Sequence, residues 1–255
     1  MNNRRSFIIG IKSTKLSAPE KKFLKIYKPW GVILFSRNIK NTKQTLELTT
    51  SIRKIFNDKR YPILIDQEGG RINRLKNIIS FDNLTSEFFG NKYITNQKEF
   101  IFYYKLFIDK TSYLLKSIGV NINTSPVLDL RVKGTSNVIG DRSFSKDPKI
   151  VSKIGDYCIQ FLHKNGIGSV IKHIPGHGLA KVDSHFFTPI VSKKKEYLFK
   201  KDFIAFKNKK SFFAMTAHII FNKIDDKNTV THSKKMIMLI RNKIGFKDIL
   251  ISDDL

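Results

Sequence analysis

A single cysteine, Cys158, stands among 255 residues. That excludes an internal disulfide and a cysteine-built metal cluster within the chain, and it fits a reducing compartment. No apolar run is long enough to cross a membrane: Arg4 and Arg5 precede only Phe7 to Ile11, broken by Gly10, before charge returns at Lys12. Without a secretory signal or span, a cytoplasmic protein with no membrane partner is expected. Acidic residues are also scarce, 21 Asp plus Glu against 47 Lys plus Arg, for a net charge of +26. An excess of that size attracts anionic partners such as nucleic acid. The lysines are scattered, however, and the longest basic clusters, Lys193 to Lys195 and Lys207 to Lys210, are short. No recognition motif accompanies them, so a solvated basic surface and no nucleic-acid partner are expected.

What is present is a globular composition, with 41% hydrophobic and 27% charged residues, in a chain long enough to bury a sizeable core. Short β-branched runs alternate with longer amphipathic stretches. The runs Phe7 to Ile11, Gly31 to Phe35, Pro62 to Asp66, Val120 to Asp129, Gly168 to His173, Phe212 to His218 and Ile249 to Asp253 read as strands. Ala18 to Lys28, Thr42 to Asn57, Glu99 to Ser117, Pro148 to Asn165, Lys195 to Lys207 and Ser233 to Ile244 read as helices. Strand then helix, repeated without an internal linker, predicts an α/β protein built on a parallel sheet, and seven such strands favour a (β/α)8 TIM-type barrel in one domain over residues 1–255.

The polar residues follow the same rhythm. Asp66 to Arg71 follow the third run, Asp129 ends the fourth, Lys172-His173 the fifth, His218 the sixth and Asp253-Asp254 the seventh. A closed parallel barrel brings all of these to one face. Gly69-Gly70 lacks the spacing of a dinucleotide fingerprint and reads as a tight turn beside a ligand. His163 and His232 read as structural or surface residues. The stretch Lys172 to His185 holds His173, His177, Asp183 and His185. The histidine spacings match no familiar zinc pattern, so neither metal nor cofactor is expected. A carboxylate two residues from a histidine, as in Asp183-Ser184-His185, can hold one imidazole tautomer ready to move a proton. A strand-end carboxylate such as Asp253 can serve as a nucleophile or stabilise a developing oxocarbenium ion, which together suggest glycoside cleavage.

Eight segments carry a resemblance. They are Gly-Val-Ile-Leu-Phe-Ser-Arg-Asn at 31 to 38, Ile-Asp-Gln-Glu-Gly-Gly-Arg-Ile-Asn-Arg-Leu at 65 to 75, Asn-Thr-Ser-Pro-Val-Leu-Asp-Leu at 123 to 130, and Ile-Gly-Asp-Arg-Ser-Phe at 139 to 144. Lys-His-Ile-Pro-Gly-His-Gly at 172 to 178, Asp-Ser-His at 183 to 185, Met-Thr-Ala-His at 215 to 218 and Ser-Asp-Asp-Leu at 252 to 255 complete them. In this order they resemble the bacterial β-N-acetylglucosaminidases of glycoside hydrolase family 3. The resemblance implies a retaining hydrolase that removes terminal β-1,4-linked N-acetylglucosamine from peptidoglycan fragments, acting as a monomer on a saccharide or muropeptide. It makes Asp253 the nucleophile, His185 the acid/base and Asp183 its orienting partner, with Asp66, Arg74, Arg142, Lys172 and His173 gripping the sugar. Family members continue past Ser-Asp-Asp-Leu into an eighth βα unit. The resemblance therefore implies a barrel lacking that unit, and leaves as the alternative an impaired barrel that only binds amino-sugar or cell-wall fragments.

Overall fold

Each apolar run forms a strand. The computed structural model describes residues 4–182 and 187–254. Its strands are β1 (Arg5–Gly10), β2 (Pro29–Leu34), β3 (Ile63–Ile65), β4 (Ile122–Asn123), β5 (Gly168–Ile174), β6 (Ile190–Val191), β7 (Phe213–Thr216), β8 (Ile220–Phe221) and β9 (Ile249–Ser252). The helices are α1 (Ala18–Tyr27), α2 (Thr42–Phe56), α3 (Ser86–Thr95), α4 (Gln97–Ser117), α5 (Pro148–Lys164), α6 (Lys195–Lys200) and α7 (Lys234–Leu239). Local chemistry sets their starts. Ser17 and Glu20 form a reciprocal capping box at α1, the Asn41 side chain accepts from the Gln44 backbone at α2, and Asp147 caps α5 with Pro148 in its first turn. Each satisfies N–H groups that the first helical turn leaves unbonded.

Seven strands pair in the order β1-β2-β3-β4-β5-β7-β9, every pair parallel. Two apolar layers flank this sheet. The larger core lies between the strands and the helices. The smaller holds Leu64, Ile122, Val170 and Met215, with Ile8, Trp30, Ile33, Phe213 and Ile251 packed against it. Those residues come from all seven strands, the outermost two included, so the sheet must curl around them. A curled parallel α/β sheet is therefore what the chain forms; among the described residues β1 and β9 do not pair, and closure of the expected (β/α)8 ring is not seen.

Three expectations change. The strand expected over Val120 to Asp129 contracts to β4, because Pro126 has no N–H to give a ladder; beyond it Val127 bridges to Lys172, and the Leu128 N–H still donates to the Lys172 carbonyl at 2.7 Å. The helix expected over Lys195 to Lys207 breaks after α6 and resumes as a 3₁₀ turn, Phe203–Phe206. The helix expected over Ser233 to Ile244 relaxes after α7 into a π turn, Ile240–Ile244, ended by Gly245 at φ 85°.

Helix α3 was not expected, since its apolar residues have little 3.6-residue periodicity. Gly90 lies in its middle, where glycine costs about 1 kcal/mol relative to alanine. Packing explains it: a Cβ there would stand 1.6 Å from the Phe144 carbonyl oxygen, so only a bare backbone lets α3 meet the segment before α5. Gly90→Ala should therefore destabilise by about 2 kcal/mol or more despite its better helix propensity. Urea unfolding checks this, and a variant as stable as the native protein would contradict it.

Candidate active site

The carboxyl ends of the strands carry the chemistry. At the end of β3, Asp66 takes Lys172 Nζ at 3.1 Å and Arg74 Nη2 at 3.5 Å, and accepts a short hydrogen bond from the Thr124 hydroxyl. Burial, the largest influence, pushes its carboxyl upward, but Lys172, Thr124 and Arg74 together hold it below the usual range. Two residues on, Glu68 is deeper. Arg142 grips it with two parallel bonds of 2.8 and 2.9 Å, and Lys172 Nζ lies 2.6 Å from it. Burial favours the neutral acid there too, yet the two cations hold Glu68 well below the carboxylate range. Paired with both acids, Lys172 is in turn held above its usual value against the opposing effect of burial.

The turn after Glu68 has the conformation only glycine accepts cheaply. Gly69 sits at φ 98°, and a Cβ there would lie 2.3 Å from the Leu84 carbonyl oxygen. With that close approach the Gly70 N–H donates to the Phe81 carbonyl at 2.9 Å, so the glycine pair shapes the loop that presents Asp66 and Glu68.

A second centre forms around Asp129, which is fully buried. Its carboxylate accepts from the His177 backbone N–H at 2.6 Å, from the His173 backbone N–H at 3.2 Å and from His173 Nδ1 at 2.6 Å. Since a carboxylate can only accept, His173 Nδ1 carries the proton there. The other ring nitrogen, Nε2, then faces Asp253 Oδ2 at 3.8 Å. The pairing register of β5 against β7 slips between Lys172 and Ile174. Such a slip re-aims side chains, and here the consecutive side chains of Lys172 and His173 both serve the same end of the sheet. His177 is buried, and burial, with His173 adding to it, pushes its imidazole down to about 4, so it is neutral at pH 7.

Asp253 follows β9 and retains some solvent access, with 17% of its side chain exposed. It accepts from the Asp254 backbone N–H at 2.9 Å. His218 braces this segment: Nε2 donates to the Asp254 carbonyl at 2.9 Å, which makes Nδ1 the acceptor for the Thr231 hydroxyl at 3.0 Å. Thr231 meets Thr216 of β7 at 2.8 Å, and Thr216 reaches the Ile251 carbonyl at 3.3 Å.

The structure thus brings Asp66, Arg74, Arg142 and Lys172 into one charged cluster, and His173 beside Asp253 in another. Asp183 and His185 lie outside the described residues. Glu68, Asp129 and His218 are expected from the sequence on the same face, within the resemblance motifs, but without an assigned role. For Glu68 the signal was charge arithmetic: three cations, Arg74, Arg142 and Lys172, converging on Asp66 alone would leave buried positive charge uncompensated. His163 stacks on Phe212 and bonds Ser169 at 2.9 Å, and Cys158 is buried in α5, its thiol pushed up to about 11 by burial.

Comparison with known proteins places this geometry. Residues 7–255 match the model of the glycosyl hydrolase family 3 N terminal domain. The chain belongs to glycosyl hydrolase family 3. A β-hexosaminidase of Hydrogenovibrio crunogenus is 32% identical over 251 residues, 97% of this chain and 70% of that protein. One from Xanthomonas campestris pv. campestris is 30% identical over 252 residues, covering 97% of this chain and 75% of the relative. The crystal structure of native NagZ from Neisseria gonorrhoeae superposes with a TM-score of 0.89 at 28% identity, over 99% of this chain and 74% of that one. As a family 3 member the protein is a glycosidase.

The cluster around Glu68 yields a stability test. Removing one partner from a buried ion pair leaves the others uncompensated, at about 3–5 kcal/mol. Glu68→Gln should therefore lower the urea-unfolding free energy by about 3 kcal/mol at pH 7. Because the Glu68 carboxyl is held low in the folded protein, its contribution is present above the unfolded value near pH ~4.3 and lost as pH falls. The gap between native protein and variant should narrow below pH ~4.3. A gap that widens on acidification would contradict the arrangement.

Proposed function

We propose that the protein is a retaining β-N-acetylglucosaminidase that removes terminal, non-reducing β-1,4-linked N-acetylglucosamine from peptidoglycan fragments during cell-wall recycling. The β-hexosaminidase relatives support the reaction class. The observation that carries the mechanism is the placing of Asp253: a partly exposed carboxylate 3.8 Å from a histidine whose other nitrogen is tied to buried Asp129. A nucleophile needs access to the sugar, which this partly exposed carboxylate has, and its Oδ1 is held by the Asp254 backbone N–H. We take the curled sheet as the greater part of a (β/α)8 barrel in one domain. The protein is then a cytoplasmic monomer acting on saccharides or muropeptides; among the described residues no helix is long and apolar enough to cross a membrane.

In the first step an Asp253 oxygen attacks the anomeric carbon while His185 protonates the departing glycosidic oxygen, so the carbon–oxygen bond to the leaving sugar breaks as the bond to Asp253 forms. In the second, a water gives its proton to His185 and its oxygen to the anomeric carbon, and Asp253 leaves as a carboxylate. Asp183 holds His185 in the required tautomer. Asp66 accepts from sugar hydroxyls, and Arg74, with Lys172 and Arg142 behind it, donates to hydroxyl and acetamido oxygens. His173 faces Asp253 and holds it in line.

Release of chromophore from a β-N-acetylglucosaminide tests this reading. The native chain should turn it over, Asp253→Ala should abolish turnover, and Asp183→Asn should keep substrate binding while lowering kcat by about 10²-fold, the scale of acid/base assistance. Native-like rates in Asp253→Ala would overturn the nucleophile. Sugar binding by the native chain without any turnover would leave it a binding protein.

A further inference from the structure

Two buried acids, Asp202 and Asp225, are used by neither cluster, and Asp225 accepts from the Ser233 hydroxyl and the Asn228 N–H. Asp202 lies between α6 and the Phe203–Phe206 turn, 1% exposed, and among the described residues neither of its carboxyl oxygens has a hydrogen-bond partner in another residue. Its neighbours are the glycines of the histidine loop. A Cβ on Gly176 would stand 2.7 Å from Asp202 Cβ and 3.4 Å from its Oδ1; one on Gly178 would stand 3.2 Å from the same oxygen. The loop has therefore given up side chains where this acid packs. Gly176, at φ 145°, and Gly178 flank His177, whose N–H donates to Asp129. Asp202 thus packs against the same segment whose His177 N–H is bound by Asp129.

The charges around it oppose ionisation. From the segment after β4 comes Asp129, itself a carboxylate held in its ionised form by His173 and His177 against burial. From the histidine loop come His173 and His177, both bound to Asp129, with His177 itself neutral at pH 7. On its own element Lys201 is the nearby cation, and it counteracts burial and Asp129 only in part.

We propose that Asp202 is a positioning residue: as a neutral acid it packs against Gly176 and Gly178 and holds the histidine loop in register with Asp129, and on losing its proton it loosens that loop. The proposal rests on the reading that this loop serves a glycosidase site, and it gives that site a sensitivity to pH above neutrality. Burial, with Asp129 reinforcing it, pushes the Asp202 carboxyl up to about 7, within reach of cellular pH. A folded-state acid raised above its unfolded value contributes stability that is fully present below the unfolded value, about 3.9, and is lost as pH rises toward 7.

The test compares native protein, Asp202→Asn and Asp202→Ser in urea unfolding from pH 5 to pH 8. With the asparagine variant, which cannot ionise, the folding equilibrium constant relative to the native protein should rise at least about tenfold across that range. In kcat for a chromogenic β-N-acetylglucosaminide, the native alkaline loss near neutrality should move to higher pH in Asp202→Asn. Parallel stability curves for the native and asparagine proteins would overturn the proposal, as would an unmoved alkaline limb. Should neither variant fold, carboxyl carbon NMR of native protein labelled at aspartate decides: one buried carboxyl titrating near pH 7 is expected, and none above pH ~5.5 refutes it. Absence of native turnover would count against the glycosidase reading alone, because the unfolding and NMR measurements still test Asp202.

Discussion

The buried carboxylate of Asp129 is the constraint on which the rest of the site depends. It takes three N–H groups from the stretch 173–177 at the end of β5 and just beyond it, two from backbone and one from the His173 ring. An ionised acid in that position is tolerable only with such donors, since burial alone would cost several kcal/mol. In exchange it ties the segment after β4 to the end of β5 and leaves one nitrogen of His173 aimed at Asp253. The histidine that faces the partly exposed Asp253 at 3.8 Å is thus held by a carboxylate that no solvent reaches.

The charged cluster at the other side of the mouth follows a related logic. Glu68 neutralises Arg142 and Lys172 from below, which leaves Asp66, with Arg74 beside it, nearer the solvent. Net charge in such a cluster must balance, but the groups need not be equal: Glu68 is deepest, and Asp66 and Arg74 remain partly exposed. Most of the chain's basic residues lie outside this cluster, scattered over helices and loops.

Much of the fold was legible in the sequence. Seven apolar runs became seven parallel strands, six with boundaries off by one or two residues and the fourth contracted to Ile122–Asn123, because continuous β-branched runs between amphipathic stretches have few alternative placements. The misses have local causes. Helix α3 is fixed by Gly90 meeting the Phe144 backbone, a contact between residues 54 apart in sequence that no periodicity reveals. The break after Lys200 falls where Asp202 packs beneath the histidine loop, again a tertiary demand. In the site, motif resemblance singled out Asp66, Arg74, Arg142, Lys172, His173 and Asp253, and these do gather at one end of the sheet. It did not single out Glu68, Asp129 or His218, whose contacts are with other side chains and strand ends and become visible only once the strands are side by side.

The central claim is that Asp253, aimed through His173 and Asp129, forms the bond to the sugar. Trapping that bond tests it most directly, because a fluorinated N-acetylglucosaminyl substrate slows release of the covalent intermediate more than its formation. Mass spectrometry of the inactivated protein should find one sugar per chain, located by fragmentation on Asp253. A sugar attached to any other residue, or continued turnover with retention of configuration and no adduct, would contradict the account.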